Sequence, residues 1–462
     1  MIKKTNIPFL LLIAVTFLCV NFSCQKKEIP VNTDKEIISL KIKLGDGTTI
    51  TSLFTVTVKN DSVIVKLLPE IDRSALIPEF EFKGKSISPA SGIVQNFTMP
   101  VIYTVTADDG SSKSYVVSVL PQTPVNTLFI GSSDKNFYAL DATNGTQKWK
   151  YTGTESFAYS KPAYNNGFVY TGSIDAHVYA ISSISGSLYW KFKTGEAIES
   201  SPTIANGTLY IGSNDDYFYA IDEQKGTLKW KFLTGGNVSS TPLVYQNRVY
   251  VASSDAYVYA LDTSSGQVSW SFKADQYIGK SSPVISNGVL YIGSNDGNLY
   301  AINAQSGSLI WKYEVEGKVS LTQSTPAIAG GSVFMSGWYN FNPRIAGAVY
   351  AVNTANGTLK WQALNNTGFS SGPVFYNNKI IIAGDDLNLH CLDANTGAII
   401  WQKPLLANGA APVIENDKIF IGGGGNSGIY SFDVNTGNQI WKFNTGAGGL
   451  MTSQGILVGF GQ

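Results

Sequence analysis

At 462 residues the chain is long enough for more than one domain, and 33 Lys and Arg balance 33 Asp and Glu, so no overall field draws it to nucleic acid. Only 14% of the residues are charged, while 46 are glycine and 12% are aromatic, a profile that suits an all-β protein with many tight turns.

Met1-Ile2-Lys3-Lys4 precede an apolar run from Ile7 to Val20 and then Asn21-Phe22-Ser23-Cys24, the layout of a bacterial export leader. A helix over that run would span about 21 Å, short of the roughly 30 Å hydrocarbon core, so cleavage is expected rather than a permanent span. Removing Lys3 and Lys4 with the leader leaves 31 basic residues against 33 acidic, a formal charge of −2. Ser23-Cys24 resembles the end of a bacterial lipoprotein signal, although Asn21 stands where that family has Leu. The resemblance implies a signal peptide over residues 1–23, acylation of Cys24, and attachment to the outer membrane through lipid alone, with the membrane face left open. Residues 24–35 are polar, include Pro30 and read as a tether; Gln25-Lys26-Lys27-Glu28 resembles the charged tail of Bacteroidetes surface lipoproteins. Cys391 is then the one cysteine left, so an exported protein has no intrachain disulfide to rely on. Its setting, Leu389-His390-Cys391-Leu392, points to a buried structural thiol.

Over residues 36–121, period-two segments such as Phe54-Val56-Val58, Ser62-Ile64-Lys66 and Tyr115-Val117-Val119 are broken by Asp46-Gly47 and Asp109-Gly110. That pattern predicts a small β-sandwich. The stretch from Pro89-Ala90-Ser91-Gly92 to Asp109-Gly110-Ser111 resembles an immunoglobulin-like module found at the front of Bacteroidetes surface lipoproteins, which implies a spacer.

From residue 126 to 462 the chain repeats itself. Trp149, Trp190, Trp230, Trp270, Trp311, Trp361, Trp401 and Trp441 recur at intervals of 41, 40, 40, 41, 50, 40 and 40 residues. Each follows a glycine by four positions: Gly145, Gly186, Gly226, Gly266, Gly307, Gly357, Gly397 and Gly437. Every period holds four strand-length runs separated by turn residues, so each repeat predicts one four-stranded blade and the whole an eight-bladed β-propeller. Asp141, Asp222, Asp262, Asp393 and Asp433, eight residues before the Trp, are placed to cap the turn, as are Ser182, Asn303 and Asn353. The glycine supplies a positive φ, and the indole a flat surface for packing blade on blade. The first repeat has Pro121-Gln122-Thr123-Pro124 where an innermost strand should begin, and the tail from Met451 to Gly459 has strand character. The tail is therefore expected to complete the first blade.

The pattern Ala/Ser-x-Asp-x-x-Thr/Ser-Gly-x-x-x-Trp resembles the repeat of the PQQ-type quinoprotein propellers and of outer-membrane assembly lipoproteins of the BamB type. The quinoprotein resemblance implies a calcium-bound quinone, an aspartate base and a pair of adjacent cysteines; this sequence has no such pair and no dedicated acidic cluster. We therefore expect no cofactor, no metal and no catalytic residues. His177 and His390 fall at non-equivalent repeat positions and read as a surface and a half-buried residue. Asp134, Asp175, Asp215, Asp255, Asp296 and Asp385 recur after the second strand, where turn capping explains them better than a cation ring. Gly422-Gly423-Gly424-Gly425 opens no helix and is a weak phosphate cradle.

The interval from Trp311 to Trp361 carries about ten extra residues, split between the approach to Pro326 and the loop Ser336 to Gly347. In an up-and-down blade both insertions emerge on one face. Trp338, Tyr339, Phe341 and Arg344 give that loop the composition of a recognition surface. Two functions follow. The BamB resemblance implies a non-catalytic scaffold for envelope proteins; the surface-export features imply a glycan- or nutrient-binding lipoprotein, and PQQ-dependent oxidation stands behind both.

Overall fold

The computed structural model describes residues 31–50, 55–338, 340–341, 344–345, 347–365, 367–405, 410–423, 428–445 and 454–459. Cys24 and the leader lie outside them.

Residues 36–121 form a sandwich of two sheets. Strands β1 (Glu36–Leu44) and β4 (Leu76–Lys83) pair antiparallel in one sheet. The other holds β2 (Thr55–Lys59), β3 (Ser62–Leu67), β7 (Ser112–Pro121), β6 (Val101–Thr106) and β5 (Ser86–Ser88) in that order. Strands β3 and β7 run parallel. Alternation along each strand turns Ile37, Leu40, Ile42 and Phe80 inward against Val63, Val65, Tyr103, Val117 and Val119, the burial expected of a period-two pattern. Strand β4 keeps the alternation, with Leu76, Pro78 and Phe80 all on its buried face, and Pro78 is accommodated in a two-stranded sheet where no second strand needs its missing N–H.

Eight four-stranded antiparallel sheets follow among the described residues. In blade 3, for example, Thr203–Ala205, Thr208–Gly212, Tyr217–Asp222 and Leu228–Leu233 run from axis to rim. The tail strand Ile456–Val458 pairs antiparallel with Thr127–Phe129 and supplies the innermost strand of blade 1. Ring closure is thus made by hydrogen bonds between the two ends of the repeat region, and the tail strand also touches the innermost strands of blades 2 and 8.

What holds blade to blade is one lock used eight times. A register shift beside every indole adds local twist to the outer strand. The ring then lies over the glycine of the following blade: Trp190 over Gly226, Trp230 over Gly266, and so on to Trp441 over Gly145. A Cβ on Gly226 would sit 2.6 Å from Trp190 Cδ2, and its φ of +65° independently favours glycine. The indole N–H donates to a turn carbonyl of that same next blade at 3.0–3.1 Å in all eight cases, from Trp149 to Ser183 O through Trp441 to Ala142 O. One residue therefore joins apolar contact to a satisfied donor.

The turn between third and fourth strands is capped in every blade. The residue eight before each Trp accepts a backbone N–H through its side chain, from Asp141, Ser182 and Asp222 round to Asp393 and Asp433. These turns, with those between first and second strands, form the lower face. The sandwich docks there on blade 2. Glu70 accepts from Ser182 Oγ at 2.8 Å and from Ser185 Oγ at 3.0 Å, and Pro69 and Pro121 lie over Gly167.

Candidate functional site

The upper face carries the turns between second and third strands and the segments that lead into each innermost strand. Its Asp residues are consumed by structure. Asp134, Asp175, Asp215, Asp255 and Asp296 each accept a backbone N–H two residues on. Each also accepts a Tyr hydroxyl four residues on, at 2.5–2.8 Å. In blade 7 the equivalent carboxylate is Asp386, not Asp385: Asp386 accepts from Asn388 N and faces His390 Nε2 at 3.1 Å, while Asp385 accepts from Ser370 Oγ. His390 replaces the Tyr of the other blades. It is 1% exposed rather than half-buried, because it points into the sheet interface beside Phe369. His177 stays within its own turn, with Nδ1 2.9 Å from Asp175 O. Cys391 is buried, and burial pushes its thiol up to about 11.

The lead-in segments are laced to one another by hydroxyls. Ser200 Oγ donates to Ser240 O and Ser281 Oγ to Ser324 O, while Ser336 Oγ, at the end of the second strand of blade 6, donates to Ser371 O of the next lead-in segment. Lys161 N donates to Ser201 Oγ, and Thr241 N to Ser282 Oγ. This lacing explains the Ser-Ser-Pro signature. Inside it lies an axial cavity of about 560 Å³ to which all eight blades contribute.

Two repeat positions line its mouth. The residue before each lead-in proline is Ser201, Thr241, Ser282 or Thr325 in four blades but Lys161 in blade 2. Two positions earlier than that proline's preceding Ser or Thr neighbour the chain varies more, with Tyr159, Glu199, Lys280, Gln323 and Ser370 at the third place before Pro. Lys280, leading into blade 5, reaches Glu199 of blade 3 at 3.0 Å and lies over the Tyr159 ring of blade 2 at 4.6 Å. It forms a strut across part of the mouth. Burial lowers the Lys161 ammonium from its ordinary value, with no charged group compensating. None of these axial residues was singled out by the sequence pattern, although Lys161 is visible as the charged exception in a column of small and hydroxyl side chains.

The inserted hairpin stands on this same upper face. Asn340–Phe341 pairs with Arg344–Ile345, Trp338 N donates to Ser320 O in the lead-in segment of blade 6, and Phe369 N donates to Gly337 O. Trp338 is half-buried. Tyr339 and the side chains of Phe341 and Arg344 lie outside the described residues, as do Gly424 and Gly425.

The quinone-and-calcium arrangement does not fit these residues. Among the described residues no three His, Cys, Asp or Glu side chains converge, and the carboxylate at the mouth, Glu199, is engaged by Lys280.

A family model described as outer membrane protein assembly factor BamB matches residues 134–237, 175–342 and 346–458. A second, described as SGBP, N-terminal, matches residues 37–119. No curated protein matches the chain. Among solved structures, BamB from Moraxella catarrhalis is 16% identical with a TM-score of 0.53, covering 64% of this chain and 87% of that one. The computationally designed Ika8 protein is 14% identical with a TM-score of 0.54, covering 70% and 95%. Quinohemoprotein alcohol dehydrogenase ADHIIG from Pseudomonas putida HK5 is 15% identical with a TM-score of 0.53, covering 66% and 69%. At such identities the likeness establishes a shared fold.

Proposed function

We propose, from the premise that this chain belongs to the family of the outer membrane protein assembly factor BamB, that it is a non-catalytic envelope lipoprotein, anchored through Cys24, that binds partners on the upper face of its propeller. The observation that carries this reading is the opposition of the two faces. The sandwich occupies the lower face at blade 2 through Glu70, Pro69 and Pro121. At the sandwich's far end Asn32 O accepts from Asp108 N and Lys35 Nζ donates to Ser111 Oγ. From there β7 runs 10 residues back to the dock, about 30 Å of strand. A lipid on Cys24 would therefore pull from the end remote from the propeller, and the cavity mouth and hairpin would face away from the sandwich.

The chemistry available there is recognition chemistry: an aromatic at the hairpin base, hydroxyls, and two lysines against one glutamate. A photo-crosslinking amino acid at Gln323 or Trp338, compared with one at Asp222 on the lower face, tests the reading in intact cells. Partner crosslinks are expected from the upper positions; crosslinks confined to Asp222 would defeat it. The second reading, a glycan- or nutrient-binding lipoprotein, is favoured by the SGBP-type match of residues 37–119 and uses the same face.

A further inference from the structure

The axial cavity contains groups that the fold does not require. Lacing between blades 2 and 3 uses the backbone N–H of Lys161, and blade 4 does the same work with Thr241, so the ammonium adds nothing to the ring. Among the described residues Lys161 Nζ has no hydrogen bond or ion pair, while Lys280 is matched by Glu199. One half-buried cation without a hydrogen-bond or ion-pair partner among the described residues thus lines the cavity, an arrangement that an anion would stabilise. Around it stand the hydroxyls of Ser201, Thr203 and Thr241 and the carboxamides of Gln323 and Gln454; Thr203 Oγ1 donates to Pro242 O, Ser201 Oγ accepts from Lys161 N and Gln454 Nε2 donates to Pro412 O, and the capacity these bonds leave over can serve ligand hydroxyls. Pro242, Pro283, Pro326 and Pro373 and the Tyr159 ring present apolar faces suited to the C–H side of a pyranose. The volume, about 560 Å³, is that of a small-ligand site, typically some 300–1,000 Å³, and a bare inorganic anion would leave most of these groups unused.

We propose that the axial cavity binds a sugar acid, with its carboxylate on Lys161 Nζ and its hydroxyls among Ser201, Thr203 and Thr241. The Lys280–Glu199 strut bounds the mouth and leaves room for a chain to continue outward, so the acid is either free or the end of an acidic polysaccharide. The inference rests on the upper face being open, which crosslinking tests separately, and it does not depend on any protein partner.

Calorimetric titration of the full chain with D-glucuronate, D-galacturonate and a short oligogalacturonate, against D-glucose and PQQ, decides it. At least one uronate should bind roughly ten- to a hundredfold more tightly than glucose, the worth of one charge-assisted contact. Lys161→Met should abolish that preference while the unfolding temperature of the free protein stays level or rises, since a desolvated charge is removed. Tighter binding of the oligomer than of the monomer assigns a polysaccharide end; the reverse assigns a free acid. Equal binding of uronate and glucose, no binding of any uronate, or Lys161-dependent binding of PQQ in their place would overturn the proposal.

Discussion

The two faces of the propeller are built from the same repeat, yet they depart from it in different places. On the lower face eight turns share one chemistry, an Asp, Asn or Ser cap, a positive-φ glycine and an indole from the preceding blade. Ser182 is the one cap among them without a carboxylate or carboxamide, and the sandwich sits on it: Glu70 brings a carboxylate to this turn, accepting from Ser182 Oγ and Ser185 Oγ. On the upper face five consecutive blades share an Asp–Tyr pair, and blade 7 substitutes His390 while blade 6 inserts a hairpin. Departures from a repeat thus mark where something other than the neighbouring blade must be accommodated. Below, that something is part of the same chain; above, the exceptions surround an open cavity.

The largest effect expected from breaking this comparison is at the lock. Gly226→Ala would force a Cβ into Trp190 at a positive φ, whereas Gly207→Ala has a similar φ of +69° and open space around it. The first should cost about 3 kcal/mol or more and the second about 1 kcal/mol, read as the difference in denaturant unfolding. Equal costs would mean that the indole contact contributes little to ring stability.

A smaller effect separates blade 2 from its neighbours. Ser182→Asp restores the common turn cap but brings a second carboxylate against Glu70, with an expected cost of about 1–3 kcal/mol at the joint. Faster proteolysis between Pro121 and Asn126 would report it, and Glu70→Gln in the same chain should restore protection. Gly167→Asn makes the same point sterically. Asn tolerates a positive φ, yet Pro69 lies 2.5 Å from the position of a Cβ on Gly167, while Gly207→Asn meets nothing.

The lock, the caps and the blade order were legible in the sequence because each recurs, and recurrence separates a structural requirement from accident. Pairing of the tail with the first repeat was legible for a related reason, since Pro121-Gln122-Thr123-Pro124 left a gap that only distant residues could fill. The axial site is not legible in the sequence, because Tyr159 and Lys161 of blade 2, Glu199 of blade 3 and Lys280 of blade 5 converge only through ring geometry that sequence separation hides. Asp386, not Asp385, is also the residue that the repeat spacing selects, since Asp134, Asp175, Asp215, Asp255 and Asp296 each stand 15 residues before their Trp and Asp386 stands 15 before Trp401. Nor is the Glu70 joint visible, since Glu70 belongs to no repeat and Ser182 reads in the sequence only as one more turn cap.

The smallest effect, and the one that tests the upper face, is alkaline destabilisation. Burial, reinforced by the hydrogen bond to an Asp carboxylate and by its charge, raises the phenols of Tyr179, Tyr219, Tyr259 and Tyr300 well above their ordinary value of 10. Below about pH 10 folded and unfolded chains both keep these protons; above it the unfolded chain releases them while the folded chain holds them, so stability falls as pH rises. Linkage puts the loss at about 1 kcal/mol per phenol by about pH 11, less after solvent screening. Lys161 works in the opposite direction, because its lowered ammonium favours the folded state increasingly as pH rises toward the ordinary lysine value of 10.5. Urea midpoints measured from about pH 8 to about pH 11 should therefore slope downward, less steeply in Tyr219→Phe with Tyr259→Phe and more steeply in Lys161→Met. A slope unchanged by the phenol substitutions would show that the Asp–Tyr pairs do not hold the upper face in the way their geometry implies.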